Sequence, residues 1–251
     1  MGAPCPRQKG EKRLISFIVP AYDEESLLGA TLDALHSAAQ ALSETYEIVV
    51  ADDASTDGTA AVAARLGARV VRVAHRQIAA TRNSGARAAK GELFIFVDAD
   101  TIVNEAVVRA AVDALRLGAV GGGASVEFDT AVPRYAKVLM PAFAWVYRAL
   151  GLAAGCFLFC SREAFVAVGG FDEAFFGAEE IVMSRALRNH GRFVVLKESV
   201  TTSGRKLRTH SLLEVLKIVA RMALRGTQAV KQRPGMELWY AKRRPDPGKN
   251  R

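Results

Sequence analysis

Three acidic clusters carry the chemistry this sequence offers. Asp98 and Asp100 close the run "FIFVDAD" (94–100), and residues i and i+2 of an extended segment project to the same side. Two carboxylates brought together in this way call for a cation. Hard divalent ions such as Mg2+ take oxygen ligands and are commonly held by one or two carboxylates plus substrate phosphates. A metal-bound diphosphate therefore suits the pair; the alternative is a helix start, where Asp is also favoured. Asp52 and Asp53 follow "IVVA" inside "DDASTDGT". Ser55, Asp57 and Gly58 are turn and cap residues, but two adjacent carboxylates exceed a turn's needs. One of them can accept hydrogen bonds from a nucleobase N–H or from ribose hydroxyls. Glu179 and Glu180 open "EEIVMSRAL", a helical pattern whose first-turn acids the macrodipole favours; the functional reading is a general base toward an acceptor hydroxyl. Arg82, in "AATRNSG", is the natural cationic partner for a phosphate or for these acids.

The elements that must position these residues alternate. "RLISFIVPAY" (13–22), "YEIVVADDAS" (46–55), "RVVRVA" (69–74) and "ELFIFVDAD" (92–100) read as strands, and helical patterns follow each: 24–42, a helix closed by Gly67, 79–91 and 104–118. The strands are continuous apolar runs, which predicts a Rossmann-like, mostly parallel sheet with helices on both faces. Ligands of such sheets bind beyond the carboxyl ends of the strands, where Tyr22 to Glu25, Asp52 to Asp57 and Asp98 to Thr101 fall. After Gly118 the pattern loosens. "AVGGGASVEFD" reads as a strand, and the long apolar stretch 138–160 contains Pro141, Arg148 and Gly151. It reads as a helix and then a strand entering "SREAF" with Ser161 as N-cap, rather than as a membrane span.

Charge is unevenly spread. The chain has 251 residues and a formal net charge of +8, yet residues 203–251 hold 13 Lys/Arg against 3 Asp/Glu, so the first 202 carry 21 basic and 23 acidic residues. The basicity belongs to the tail, and nucleic acid is not the expected partner. Cys5, Cys156 and Cys160 are too few for a disulfide framework, which fits a reduced, cytoplasmic setting. Residues 1–12 are polar and read as a disordered leader without a signal peptide.

Taken together, "SFIVPAYDEESLLGATLDAL", "EIVVADDASTDGTA", "AATRNSGARAAKGELFIFVDADT" and "GCFLFCSREAFVAVGGFDEAFFGAEEIVMSRAL" resemble family 2 of the inverting glycosyltransferases, with the nucleotide-sugar A-type fold. The resemblance covers roughly residues 14–190 in the family's order. It implies a domain over 13–202, with a nucleotide-binding half (13–118) and an acceptor-binding half (119–202). Pro20, Tyr22 and Glu24 would line the nucleotide pocket with Asp52 or Asp53. Asp98 and Asp100 would be the family's D-x-D, holding Mg2+ or Mn2+ against the diphosphate of a nucleoside-diphosphate sugar, with Arg82 assisting. Glu180 falls where the family places its catalytic base, usually an Asp, and Glu179 stays beside it as the second candidate. The loop "HRQIAATRN" departs from the family's glycine-containing form.

The tail opens with "TSGRKLRTH" (202–210), read either as a lid over the diphosphate or as a solvated basic loop; His210 is a candidate third metal ligand. "SLLEVLKIVARMALRG" then carries a capping box and a narrow polar stripe of Glu214, Lys217, Arg221 and Arg225. This basic amphipathic helix either packs on the domain or lies on an anionic membrane at its inner face, through residues 205–251. The apolar helices make a lipid-linked acceptor the natural expectation. The competing readings are a receiver-like signalling module, which also sets an acidic pair after one strand and an Asp after a later one, and a sugar nucleotidyltransferase. The first has no use for Glu179 and Glu180; the second needs a Gly-rich phosphate loop where this chain has "PAYDEE".

Overall fold

The computed structural model describes residues 13–129, 132–133, 151–209, 214 and 230–231. In chain order these form β1 (Ile15–Ala21), α1 (Glu25–Ala41), β2 (Tyr46–Asp53), α2 (Thr59–Arg65), β3 (Arg69–Val73), α3 (Ile78–Ala88), β4 (Leu93–Val97), β5 (Thr101–Ile102), α4 (Glu105–Arg116) and β6 (Gly121–Phe128). They continue as β7 (Phe157–Ser161), α5 (Arg162–Ala167), α6 (Glu179–His190), β8 (Phe193–Thr202) and α7 (Arg205–Thr209).

Among the described residues the strands make one sheet in the order β3-β2-β1-β4-β7-β6-β8-β5. The first four pair in parallel, as their continuous apolar runs predict. The second half is mixed. β7 runs antiparallel to both β4 and β6, while β6 and β8 are parallel. Because β7 is reversed, the residues that precede it, 154–156, lie at the same sheet edge as the carboxyl ends of β1 to β4. That edge is where the acidic clusters converge.

Both faces of the sheet are covered. On one side Ile15, Phe17 and Val19 of β1 and Leu93, Ile95 and Val97 of β4 pack against α1, α2 and α4 through Leu28, Leu32, Val62 and Val108. On the other, Ile18, Phe94 and Phe96 pack against α3, α5 and α6 through Ala79, Phe165 and Leu187. Each such large apolar side chain contributes roughly 1.5–3 kcal/mol when fully buried. The glycine run of β6 is a packing feature: a Cβ on Gly122 would collide with the Val194 carbonyl and the Phe159 ring.

Local capping follows the sequence reading at Ser161, whose hydroxyl accepts from the Ala164 amide at 3.1 Å. Asp98 and Asp100 are not helix caps. The two residues of β5 separate them from α4, which is capped by Asn104 accepting from Val107 at 2.9 Å. β8 is an element that the sequence reading does not contain. The expected leader, residues 138–150 of the long apolar stretch, His210 and nearly all of the expected C-terminal basic helix lie outside the described residues. Among those described, no helix is long and apolar enough to cross a membrane.

Candidate active site

The turn after β4 fixes the first acidic pair. The Asp98 amide donates to the Cys156 carbonyl at 3.1 Å, the Thr101 amide to the Asp98 carbonyl at 3.0 Å, and Ser203 to the Asp100 carbonyl at 3.1 Å. Between the two acids, Ala99 is buried and its carbonyl accepts from Thr31 of α1 at 2.9 Å. Asp98 and Asp100 therefore open on one cleft, of about 390 Å³, which Pro20, Tyr22 and Glu24 also line.

Arg82 ties this pair to the second one. It is 2% exposed and sits on an aromatic floor, with its guanidinium 5.3 Å from the Phe171 ring centre. Its guanidinium donates to Asp98 Oδ1 at 2.7 Å, to Glu179 Oε1 at 2.6 Å and to the Gly155 carbonyl at 2.7 Å. Burial works against its charge, but the carboxylates of Asp98 and Glu179 outweigh that and hold its pKa above the ordinary guanidinium value. Glu179 is thereby committed to Arg82. Glu180, one residue on, lines the cleft and lies over Gly155, where a Cβ would come 3.4 Å from its Cδ. Burial raises the Glu180 carboxyl to a pKa of about 8, and the Glu179 charge adds to the rise.

The pair after β2 splits. Asp52 is buried and its Oδ1 accepts from Ser55 at 3.3 Å, away from the cleft lining. Asp53 does line the cleft, but its own chain fills it. Oδ1 accepts from the amides of His75 (2.7 Å) and Arg76 (2.8 Å), and Oδ2 from the Gln77 amide (3.1 Å) and the Thr81 hydroxyl (2.9 Å). This draws Arg76 into the left-handed region at φ 52°, a conformation that costs a non-glycine residue about 1 kcal/mol. Asp23 and Ala54 are also left-handed, at φ 48° and 57°. The loops after β1 and β2 are laced together by the Asp23 amide donating to Ser55 at 3.0 Å and the Thr56 amide to Asp23 at 2.7 Å. Burial works against the Asp23 charge, but hydrogen bonds from Thr56 and Tyr22 and the Arg76 guanidinium hold its carboxyl below the ordinary value.

Three contributors escape the sequence reading. Arg76 stacks on Tyr22, its guanidinium 3.4 Å from the ring centre. Gln77 reaches from the same loop to the carbonyls of Glu173 (2.5 Å) and Phe175 (3.2 Å), holding the segment that leads to Glu179 and Glu180. The Phe176 amide donates to Val230 at 2.7 Å, so the tail returns to that segment. A polar residue in a loop that departs from the family's pattern was the available signal for the first two. Arg205, in the basic segment, is buried here and pairs with Glu24 at 2.6 Å and lies 3.7 Å from Asp100.

The family model described as glycosyl transferase family 2 matches residues 16–161, more than half of the chain. The chain belongs to glycosyl transferase family 2. This membership sets aside the signalling and nucleotidyltransferase readings. Among curated family relatives, the undecaprenyl-phosphate 4-deoxy-4-formamido-L-arabinose transferase of Aeromonas hydrophila is 38% identical over 96 residues, 35% of this chain and 29% of that protein. The chain spans about a quarter to a third of the length of the first curated relatives it matches. Two solved structures share its glycosyltransferase A-type fold. The mannosyltransferase PcManGT from Pyrobaculum calidifontis, in complex with GDP-Man and Mn2+, superposes with a TM-score of 0.66 at 20% identity, over 86% of this chain and 63% of that one. Glucosyl-3-phosphoglycerate synthase from Mycobacterium tuberculosis, in complex with Mn2+, UDP and glucosyl-3-phosphoglycerate, gives 0.54 at 21% identity, over 86% and 80%. At these identities the likeness is one of fold.

Proposed function

We propose that this chain transfers a sugar from a nucleoside-diphosphate sugar to an acceptor hydroxyl, with inversion at the anomeric carbon and with the help of a divalent cation. The observation that carries the reading is the Arg82 bridge. One buried guanidinium holds both the acid of a D-x-D turn and the acid beside Glu180, so that the two groups needed for the two ends of the transfer open on one cleft.

The residues fit a divalent ion. Among those described, no three His, Cys, Asp or Glu side chains converge to enclose a metal. Asp98 and Asp100 together supply a two-carboxylate set, which is how Mg2+ or Mn2+ is held when phosphate oxygens and water complete its shell. When bound there, the ion would neutralise charge on the leaving diphosphate. A cation already faces Asp100 in the form of Arg205. Mn2+ in the two structures of like fold supports the choice of metal.

Glu180 is the base in this account, and Glu179 its neutralised neighbour. A carboxyl raised to about 8 takes up a proton near neutral pH more readily than an ordinary Glu. It removes the proton of the acceptor hydroxyl as the new carbon–oxygen bond forms. The bond between the anomeric carbon and the phosphate oxygen breaks from the opposite side, and its electron pair stays on the phosphate. Pro20, Tyr22 and Glu24 bind the nucleoside, Asp53 acts through the loop it ties, and Asp52 holds the turn before α2. Arg82, which also lines the cleft, acts on Asp98 and Glu179.

A lipid-linked acceptor at the cytoplasmic face of an anionic membrane is supported by the basic tail and by the named substrate of the Aeromonas relative. The test is incubation of the folded protein with a panel of nucleoside-diphosphate sugars and Mn2+, with free and polyprenyl-linked acceptors. Release of one nucleoside diphosphate, accelerated by an acceptor, is expected; no release from any donor contradicts the reading.

A further inference from the structure

Both carboxylates of the pair after β4 face a guanidinium, and the two guanidiniums are held differently. Arg82 comes from the middle of α3 and is fixed by three acceptors, Asp98 Oδ1, Glu179 Oε1 and the Gly155 carbonyl. Arg205 comes from α7, a helix of five residues. Its guanidinium donates to Glu24 Oε1 at 2.6 Å but stands 3.7 Å from Asp100 Oδ2. The first is a short charge-assisted hydrogen bond; the second is a charge contact longer than a hydrogen bond. Arg205 can therefore yield Asp100 and keep Glu24, whereas Arg82 cannot yield Asp98 without breaking into a buried bridge.

The approach of Arg205 to Asp100 is built into the backbone. The Ser203 amide donates to the Asp100 carbonyl at 3.1 Å, and the hydroxyls of Thr101 and Thr202 share a hydrogen bond of 2.9 Å where β5 pairs with β8. The Arg205 amide then donates to the Ser203 hydroxyl at 3.2 Å, which starts α7 beside the acid turn. One turn on, Arg208 is drawn off to Asp129 at 2.5 Å, just beyond the end of β6. Of these two arginines only Arg205 is directed at the acid pair.

Charge then decides what the cleft admits. An ion held by Asp98 and Asp100 has to share Asp100 with the charge of Arg205. A double and a single positive charge roughly 6 Å apart on one carboxylate oppose each other by about tenfold in affinity, even at the dielectric constant of water. An ion that arrives on a diphosphate is different: the complex carries net negative charge, and the same guanidinium does not repel it. Resting on the divalent-ion reading above, we propose that Arg205 is a specificity-determining residue: its charge at Asp100 sets the cleft against a bare divalent ion and in favour of an ion already bound to a diphosphate. Arg205 acts through Asp100 and Glu24, which line the cleft, and takes no part in the bonds that form and break.

The test needs no turnover. Binding of Mn2+ alone is measured by electron paramagnetic resonance, and binding of preformed Mn2+–pyrophosphate by calorimetry, for the wild type and Arg205→Gln. The variant should bind bare Mn2+ about tenfold more tightly than the wild type and the complex no more tightly, so that the preference for the complex falls by about tenfold or more. Arg205→Gln strands the buried Glu24, so the substitution is repeated in the Glu24→Gln background. There it should again tighten bare Mn2+ by about tenfold over Glu24→Gln alone. Arg208→Gln removes an equal charge from the same helix, away from Asp100, and should change bare Mn2+ binding by less than about twofold. Unchanged or weaker binding of bare Mn2+ on loss of Arg205, or equal tightening in Arg208→Gln, would overturn the assignment. A wild type and variants that all fail to bind Mn2+, with and without pyrophosphate, would instead remove the divalent-ion reading, and this proposal with it.

Discussion

Glu180→Gln is the substitution through which the electrostatics of the cleft can be read most directly. The change is nearly isosteric and removes one titration. In the wild type the carboxyl moves from 4.5 in the unfolded chain to about 8 in the folded one, first through burial and then through Glu179. A carboxyl raised in this way binds its proton more tightly when folded. Its contribution is therefore intact below the unfolded value and is lost as pH climbs through the folded one. Each pH unit between those values costs the folded state up to about 1.4 kcal/mol, which accumulates to roughly 3 kcal/mol at pH 7 and roughly 4–5 kcal/mol above pH 8. Glu180 is only half-buried, and water reaching the carboxylate brings the observable effect down to about 1–2 kcal/mol. The neutral amide of the Glu180→Gln variant is free of this penalty. Urea unfolding of both proteins at pH 5, 7 and 8.5, with EDTA and without nucleotide, should show the variant gaining on the wild type by about 1–2 kcal/mol across the series. A difference that stays flat with pH, or that shrinks as pH rises, would refute the placement of Glu180 in a desolvated site beside a like charge.

Two further substitutions probe the supports of the site. Arg82→Met should leave Glu179 buried, and Asp98 half-buried, without their cation and destabilise the protein by about 2–4 kcal/mol, measured by chemical unfolding; a loss under about 1 kcal/mol would show that the bridge is dispensable. Gln77→Ala should free the segment 173–175 from the nucleotide-side loop. The expected result is a fall in kcat of about tenfold with the donor KM within about twofold, because the segment positions Glu180 rather than the nucleotide; the opposite split would place Gln77 in donor binding.

Much of this architecture is legible in the residues. β1, β2 and β4 announce themselves as unbroken apolar runs, and the period-two exchange of Phe94 and Phe96 with Ile95 and Val97 between two helical layers accounts for it. Asp98 and Asp100 are picked out by their spacing, but the extended geometry assumed for them does not hold: β4 ends at Val97 and the two acids stand in a turn, closed by the Thr101 amide on the Asp98 carbonyl, that opens both on one cleft. The second half resists the same treatment. β7 slots in reverse between β4 and β6, and β8 pairs with β6 and β5 across long stretches of chain, contacts that no local pattern encodes. The partners of the charged residues are hidden for the same reason. Arg82 reads as a partner for a phosphate or for the acids, and only the fold, which brings Glu179 to it from 97 positions away, shows the acids as its partners. Asp53 reads as a nucleotide contact and does line the cleft, but the three amides that a left-handed turn at Arg76 turns onto its oxygens are nothing the residue type foretells.

The central claim is that the convergent acids exist to receive a cation and a diphosphate together. Thermal melting of the wild type and of Asp100→Asn, with each nucleoside diphosphate in the presence and absence of Mn2+, meets it head-on. The account predicts that one nucleotide raises the wild-type melting temperature only with Mn2+, by several degrees at saturating ligand, and that Asp100→Asn folds normally but loses the response. Stabilisation independent of Mn2+, or a response that survives in Asp100→Asn, would contradict it.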